Sequence, residues 1–132
     1  MLRMVNIMAE YEVKEDRKAI PQGIYKAKIV LVANAENYET SKWKYKDVFY
    51  RITEGNLKDC EIRMGYPENV SPSSNFGKLF ETLLGRAIKV GEKLTDEMLL
   101  DIPCSIVVKI EKVPTKNGGT FEKNVIESVM KN

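Results

Sequence analysis

The feature that most constrains the fold is the run at residues 41–53, SKWKYKDVFYRIT, which holds the chain's single tryptophan among residues that favour strands. Successive side chains of a strand point to opposite faces of its sheet. Val48, Tyr50 and Ile52 alternate as an apolar set, which indicates the buried face. The run therefore predicts one long strand, and its outer face carries four odd-numbered residues: Trp43, Tyr45, Phe49 and Arg51.

An outer face of this composition suits an unpaired nucleic-acid strand, because aromatic rings stack on bases and a guanidinium binds phosphate. A second register is also consistent with the run. A β-bulge near Lys46 and Asp47 would exchange the two faces, burying Trp43 and Tyr45 and exposing the three lysines of the run. The pattern alone leaves both registers open.

The bulk properties limit the class of protein. A chain of 132 residues forms one domain with a core of its own. Charged residues make up 30% of the chain but the net charge is only +2, so any nucleic-acid surface is local. No apolar segment is long enough to cross a bilayer and none resembles a signal peptide, which predicts a cytoplasmic protein that contacts no membrane.

The chain contains no histidine, which excludes histidine-based catalysis and zinc sites of the Cys/His type. Cys60 and Cys104 stand in alternating apolar patterns without CxxC spacing, so we interpret them as small buried side chains, with a disulfide or a metal site as the alternative. No cofactor is predicted. The abundance of Lys, Glu and Ile beside a single glutamine, Gln22, favours a thermophilic source.

The elements around the central run can be predicted in outline. Residues 1–20 form a partly ordered arm and residues 21–132 a single domain. The first strand covers residues 24–32, and Lys26 and Lys28 point outward from it. Its inward side chains are Tyr25, Ala27, Ile29 and Leu31.

A polar loop at residues 34–40 follows the first strand, and its Tyr38 either clamps a ligand or packs as a loop aromatic. After the central run, a tight turn at residues 53–56 leads into a third strand over residues 57–66. The inward side chains of that strand are Cys60, Ile62 and Met64, while Arg63 points outward beside Phe49 and Arg51.

An amphipathic helix is predicted over residues 76–84 and ends at Gly85. A second small helix follows over residues 95–100. The fourth strand covers residues 104–112 and is joined by a hairpin loop to a last strand over residues 121–130. The apolar residues of the last strand do not keep to alternate positions, so its register stays open. The inward side chains of the fourth strand are Cys104, Ile106, Val108 and Ile110.

Five short antiparallel strands with one helix between the third and fourth predict a mainly β fold, a five-stranded Greek-key barrel of the OB type. In OB-folds the second and third strands bind oligonucleotides, together with the loops that join strands one to two and four to five. In this chain those are the Trp43 strand, the Arg63 strand, the Tyr38 loop and the hairpin loop that contains Lys116.

Several short motifs also resemble those of a known family. They are residues 21–27 (PQGIYKA), 52–55 (ITEG), 78–85 (ending LLG), 102–104 (IPC) and the Asn-Gly-Gly hairpin at 117–119. Together they are similar to small OB-type single-stranded DNA-binding or replication-accessory proteins of phages and archaeal viruses. The resemblance covers most of residues 20–130 and implies single-strand binding in replication, recombination or repair. It implies no catalytic residues.

The leading hypothesis is a non-enzymatic protein that binds single-stranded DNA, with RNA as the open alternative and with little sequence preference. Base stacking is assigned to Trp43, Tyr45 and Phe49, and Tyr38 borders them. Phosphate contacts are assigned to seven basic residues: Lys26, Lys28, Lys42, Arg51, Arg63, Lys112 and Lys116.

The alternative hypothesis is an OB-type module that docks a partner protein through the same face, since aromatic residues and arginine are frequent in interface hot spots. A second copy of the chain or a replication protein would be such a partner. Catalysis ranks last. Asp47, Asp59 and Glu61 could in principle bind Mg²⁺, but lone acids on adjacent strands are usually solvated and paired with lysines.

Overall fold

The computed structural model describes residue 11, residues 19–40 and residues 42–132. The predicted N-terminal arm lies for the most part outside these residues. The elements are β1 (Gly23–Asn34), β2 (Tyr45–Ile52), β3 (Glu61–Pro67), α1 (Asn75–Leu84), a 3₁₀ turn (Asp96–Leu99), β4 (Cys104–Pro114) and β5 (Thr120–Lys131). The second predicted helix is thus only the 3₁₀ turn.

The five strands form one antiparallel sheet in the order β3-β2-β1-β4-β5. The predicted mainly β fold, with one α-helix between the third and fourth strands, is confirmed. The sheet is open, because β3 and β5 form no ladder with each other in the described part of the chain. The described strands therefore do not close into a barrel, and the prediction of an OB-fold is not confirmed.

The register of β2 follows the first of the two predicted alternatives. Val48, Tyr50 and Ile52 are buried, and β2 pairs with β3 without interruption from Tyr45 to Arg51. The alternative bulge in the middle of this run is therefore wrong. The strand nevertheless begins later than predicted. Its pairing with β3 begins at Tyr45, opposite Pro67, and a last hydrogen bond runs from the Glu68 N–H to the Lys44 carbonyl at 2.9 Å, so Trp43 lies before the strand instead of on it.

A bulge does occur in the sheet, but in β1. Ile29 lies opposite Tyr50 and Leu31 lies opposite Phe49, which leaves Val30 as an extra residue. An extra residue exchanges the faces of the side chains that follow it. Leu31 is consequently 50% exposed, and its predicted inward orientation is wrong.

Two other strands depart from simple alternation. β3 begins at Glu61 instead of residue 57, because a turn with a positive φ of 73° at Asp59 precedes it. Cys60 therefore lies half-buried in this turn and not on the strand's inner face. In the β4–β5 ladder the register shifts around Glu127, which explains why the apolar residues of the last strand do not keep to alternate positions.

The helix covers the inner face of the sheet. Ser74 caps its first turn by accepting a hydrogen bond from the Gly77 N–H at 2.9 Å, and Gly85 ends it in the left-handed region with φ 72°. The helix ends at Gly85 as predicted and begins one residue earlier than predicted. The apolar residues of α1 join the inner side chains of all five strands in a single core: Phe76, Leu79, Phe80 and Leu83.

Candidate functional site

The outer faces of β1, β2 and β3 carry most of the predicted site residues in rows that cross the strands. Leu31, Phe49 and Arg63 are paired in one row, and Lys28, Arg51 and Glu61 in the next. The predicted neighbourhood of Phe49, Arg51 and Arg63 is therefore observed. Leu31 joins this surface only because of the bulge in β1, which the sequence pattern did not predict.

A cleft opens where the loop between β1 and β2 meets the start of β2 and the end of β3. Its volume is about 340 Å³, and we call it the aromatic cleft. Three of the predicted aromatic residues lie in its wall, and Arg63 lies at its border. The lining consists of Ala35, Glu36, Asn37, Tyr38, Trp43, Tyr45, Asp47, Arg63 and Gly65.

Gly65, on β3, belongs to the lining of the aromatic cleft. A Cβ atom at this position would lie 3.6 Å from the Asp47 Oδ1 and 3.8 Å from a ring carbon of Tyr45. These are ordinary van der Waals distances, so the space above Gly65 would accept a Cβ atom. A glycine within a strand often marks a site where a ligand approaches closely, and this signal in the sequence could have identified the position.

Tyr38 is held in place from several sides. Its hydroxyl donates a hydrogen bond to the Glu68 carboxylate, and the Lys44 ammonium donates one to its backbone carbonyl. The Lys44 and Lys46 Nζ atoms lie 4.9 and 5.4 Å from the ring centroid, within cation–π distance. The bond to Glu68 raises the pKa of Tyr38 above its ordinary value. The ring is thus packed in its loop and also lines the cleft.

Trp43 and Tyr45 are the most accessible rings of the cleft. Trp43 is 71% exposed and Tyr45 is 43% exposed. The Lys42 Nζ atom lies 5.7 Å from the centroid of the Trp43 ring. An ammonium group thus stands beside an exposed ring at the rim of the cleft.

Ion pairs offset the charge of three predicted phosphate-binding residues. The Arg51 guanidinium donates two hydrogen bonds to Glu61 Oε2, at 3.0 and 2.7 Å. Lys28 Nζ lies 3.4 Å from Asp101 Oδ1, and Arg63 Nη1 lies 3.8 Å from Asp47 Oδ2. The outer surface of the sheet therefore carries less net positive charge than its basic residues alone would give it.

The other basic residues lie at the periphery. Lys26, on β1, donates a hydrogen bond to Asn132 Oδ1 at 3.3 Å. Lys112 lies near the end of β4 and Lys116 in the β4–β5 loop, and both are exposed. Neither belongs to the lining of the aromatic cleft, so the structure does not bring the hairpin lysines and the cleft together in one cavity.

A larger groove of about 710 Å³ runs between the two edge strands β3 and β5, and we call it the edge groove. Phe49 lines this groove and not the aromatic cleft. The two cavities share three lining residues, Asp47, Arg63 and Gly65, and so form one continuous depression. Sequence analysis missed the β5 side of the groove, residues 122–125, because the register of that strand could not be predicted.

The chain also enters the edge groove just before β1. The Ile20 N–H donates to Asn124 Oδ1 at 2.8 Å, and Asn124 Nδ2 donates to the Ile20 carbonyl at 2.7 Å. This pair of bonds fixes the start of the domain against β5. Ala19 and Ile20 therefore line the groove together with the edge strand.

The two cysteines lie outside the linings of the aromatic cleft and the edge groove. Cys60 and Cys104 are both free thiols, and burial raises the pKa of the Cys104 thiol to about 11. Within residues 19–40 and 42–132, and at residue 11, no cluster of carboxylates and thiols could hold a metal ion. No helix in the same residues is long and apolar enough to cross a membrane.

Comparison of the chain with protein-family models, curated proteins and solved structures gives no match. The resemblance to viral single-stranded DNA-binding proteins therefore stays a prediction. The geometry of the aromatic cleft and the edge groove is the evidence on function.

Proposed function

We propose that this chain is a non-enzymatic protein that binds single-stranded DNA through the aromatic cleft, with RNA as the alternative ligand. One observation carries the proposal. Tyr38, Trp43 and Tyr45 line one open cleft, and Arg63 lies at its border. Flat rings beside a cation are the components with which proteins hold unpaired bases and their phosphates.

The energetics support stacking as the main source of affinity. Each base stacked on an aromatic side chain contributes about 1–3 kcal/mol. Trp43 and Tyr45 are exposed enough to receive a base, and Tyr38 is already fixed by Glu68 and Lys44. A fixed ring loses little conformational entropy on binding, which favours affinity.

The charge distribution supports a secondary role for phosphate contacts. Lys42 stands at the rim of the cleft beside Trp43, and Arg63 is 61% exposed in spite of its pairing with Asp47. Arg51 and Lys28 are engaged by carboxylates. With about three phosphates contacted, the logarithm of the binding constant would fall with the logarithm of salt concentration with a slope of roughly −2.

The proposal includes an OB-type architecture and a role in replication, recombination or repair. Antiparallel strands in the order β3-β2-β1-β4-β5, with α1 following β3, are compatible with a partly open Greek-key barrel. The two edge strands also face the same groove. The binding surface proposed here includes β2, β3 and the first loop, which are the parts that OB-folds use.

The test uses Trp43, the chain's only tryptophan, as the reporter. An oligothymidine of about 12 nucleotides, within the site sizes of OB-folds, is titrated into the protein at low and at moderate salt. We expect the emission of Trp43 to be quenched, and the affinity to fall as salt rises. Absence of quenching together with absence of a gel shift would overturn the proposal.

A matched pair of variants locates the site. Tyr45→Ala removes a ring of the aromatic cleft and is expected to weaken binding about tenfold, the loss of one stacked base. Phe121→Ala removes a ring of similar exposure on β5, outside the linings of both cavities, and should leave binding unchanged. Equal losses in the two variants would contradict the assignment of the cleft.

A second function is favoured by the ion pairs on the sheet. Because Lys28, Arg51 and Arg63 each have a carboxylate partner, the face is nearly neutral and carries exposed rings, as a protein-binding surface does. In that case the chain would be an interaction module. The affinity of a partner held through apolar contacts would hardly change with salt, whereas that of a nucleic acid would fall with the slope of roughly −2 given above.

A further inference from the structure

Asp47 occupies an unusual place for a carboxylate in a nucleic-acid site. It lies on the outer face of β2, opposite Gly65, and lines both the aromatic cleft and the edge groove. Its side chain is only 16% exposed. Its Oδ2 lies 3.8 Å from Arg63 Nη1, and its Oδ1 would lie 3.6 Å from a Cβ atom placed on Gly65. The carboxylate is therefore part of the cleft and not of the bulk surface.

The aromatic cleft is lined by both hydrogen-bond acceptors and hydrogen-bond donors. Two carboxylates, those of Glu36 and Asp47, line it together with the Asn37 amide, while Arg63 is its one cationic residue. Carboxylates repel phosphate and accept hydrogen bonds from N–H groups. The interior of the cleft is therefore suited to a base with N–H donors, and the phosphates belong at its rim near Lys42.

Among the nucleobases, guanine offers the best match to a carboxylate between aromatic rings. Its N1–H and its 2-amino group are adjacent donors that point the same way, so they can reach both oxygens of one carboxylate. Thymine and uracil present a single N–H flanked by two carbonyl oxygens, which a carboxylate repels. Adenine and cytosine present an amino group next to a ring-nitrogen acceptor.

We propose that Asp47 makes the aromatic cleft selective for guanine at one position of the bound strand. This inference rests on the proposed function, since it assumes that the cleft takes a base. Tyr38, Trp43 and Tyr45 provide the stacking surface, which every base shares, and Asp47 provides the discrimination. The rest of the bound strand is held without preference.

The first test changes only the ligand. Competition against a fluorescein-labelled oligothymidine of about 12 nucleotides, followed by anisotropy, compares competitors that carry one central deoxyguanosine, one deoxyinosine or only thymidine. Deoxyinosine keeps N1–H but lacks the 2-amino group. We expect the guanosine competitor to bind about tenfold more tightly than oligothymidine, the discrimination of one bidentate contact, and inosine to lose most of this gain.

The second test uses matched variants. Asp47→Asn should reduce the preference for guanosine to less than about twofold, because one acceptor becomes a donor. Glu61→Gln removes a carboxylate from the same face but outside the aromatic cleft, and should keep the preference. Thermal unfolding of both variants establishes that they are folded.

The outcomes separate this inference from the proposed function. Equal affinity for all three competitors would overturn the role of Asp47 while leaving single-strand binding intact. A guanosine preference that persists in folded Asp47→Asn would also overturn it. Failure of every oligonucleotide to bind would overturn the proposed function, and the selectivity of Asp47 with it.

Discussion

The side-chain hydroxyls of Tyr50 and Tyr66 lie 2.6 Å apart in the core and join the inner faces of β2 and β3. Both residues are buried, Tyr50 completely. A polar pair at this depth is stable because each hydroxyl satisfies the other, and removing one leaves the other buried without this partner.

The single substitutions Tyr50→Phe and Tyr66→Phe should therefore each lower the free energy of unfolding by about 1–3 kcal/mol. The double variant Y50F/Y66F should lower the free energy of unfolding by less than the sum of the two single effects, because no unpaired hydroxyl of this pair remains. Urea denaturation of the four proteins gives the coupling energy. Tyr45→Phe, with a ring on the exposed outer face, is the control and should change stability by less than about 0.5 kcal/mol. Additive single effects would contradict the pairing.

Alkaline pH should destabilise the fold through the same part of the core. Burial raises the pKa of Tyr50 and Tyr66 above their ordinary value of 10.0, and the pKa of Cys104 from 9.0 to about 11. Where the pH exceeds the unfolded pKa, the unfolded chain binds fewer protons than the folded one, so the free energy of unfolding falls as the pH rises. The loss should begin near pH 9, with Cys104, and steepen above pH 10.

Urea denaturation at a series of pH values up to about pH 11 measures this slope. The variant Cys104→Ala, compared with the parent chain, should flatten the first part of the profile, and Y50F/Y66F the second. Cys60→Ala is the matched control because that thiol is only half-buried, in a turn. A free energy of unfolding that stays constant between neutral pH and pH 11 would show that the pKa values of these groups do not differ between the folded and unfolded chain.

Gly77, in the first turn of α1, should tolerate no larger residue. Alanine usually stabilises a helix by about 1 kcal/mol relative to glycine. Here a Cβ atom would lie 1.8 Å from the Ser71 carbonyl oxygen and 2.9 Å from Ser74 Oγ. We therefore expect Gly77→Ala to destabilise the protein by about 2 kcal/mol or more, since relief of the clash displaces the helix cap. The exposed neighbour Lys78→Ala should be neutral by thermal unfolding, and equal melting temperatures of the two variants would refute the clash.

The elements whose ends or buried faces are marked by nearby residues could be predicted from the sequence. α1 has a capping serine, an apolar stripe and a terminal glycine, and the buried set of β2 alternates without interruption. The predicted orientations of side chains are wrong or open where one inserted residue exchanges the inward-facing and outward-facing positions of a strand. Val30 in β1 and Glu127 in β5 are such residues, and nothing in their side chains distinguishes a bulge from a regular position.

The bulge in β1 gives a direct stability test. With regular alternation, Ile29 and Leu31 would both be buried in the core. Truncation of either residue to alanine would then lower the free energy of unfolding by about 2–5 kcal/mol. The structure buries Ile29 completely and leaves Leu31 50% exposed on the outer face. We expect Ile29→Ala to show the full cost and Leu31→Ala to cost less than about 1 kcal/mol, as measured by urea denaturation. Similar costs at the two positions would mean that the bulge is not present in solution.

The candidate site was predictable in its residue types but not in its arrangement. Trp43, Tyr45 and Arg63 were identified from alternation and composition, whereas the places of Gly65 and Asp47 in the cleft depend on which residues of β2 and β3 lie opposite each other. Pairing between strands depends on long-range packing, which a local pattern does not encode. The carboxylate partners of Lys28 and Arg51 were missed for the same reason.

Those ion pairs predict that two arginines on the same sheet contribute unequally to binding. Arg51 gives two hydrogen bonds to Glu61 and is 42% exposed, whereas Arg63 makes one looser contact with Asp47 at 3.8 Å and is 61% exposed. A phosphate must compete with a carboxylate for either guanidinium, and it competes more easily for Arg63. Arg63→Gln should reduce the steepness of the salt dependence by about 0.7, one phosphate contact on a single strand, and Arg51→Gln should leave it unchanged. Anisotropy titrations of labelled oligothymidine at several salt concentrations measure both slopes, and a larger change in Arg51→Gln would place the phosphate path along the row of Lys28 and Arg51 instead.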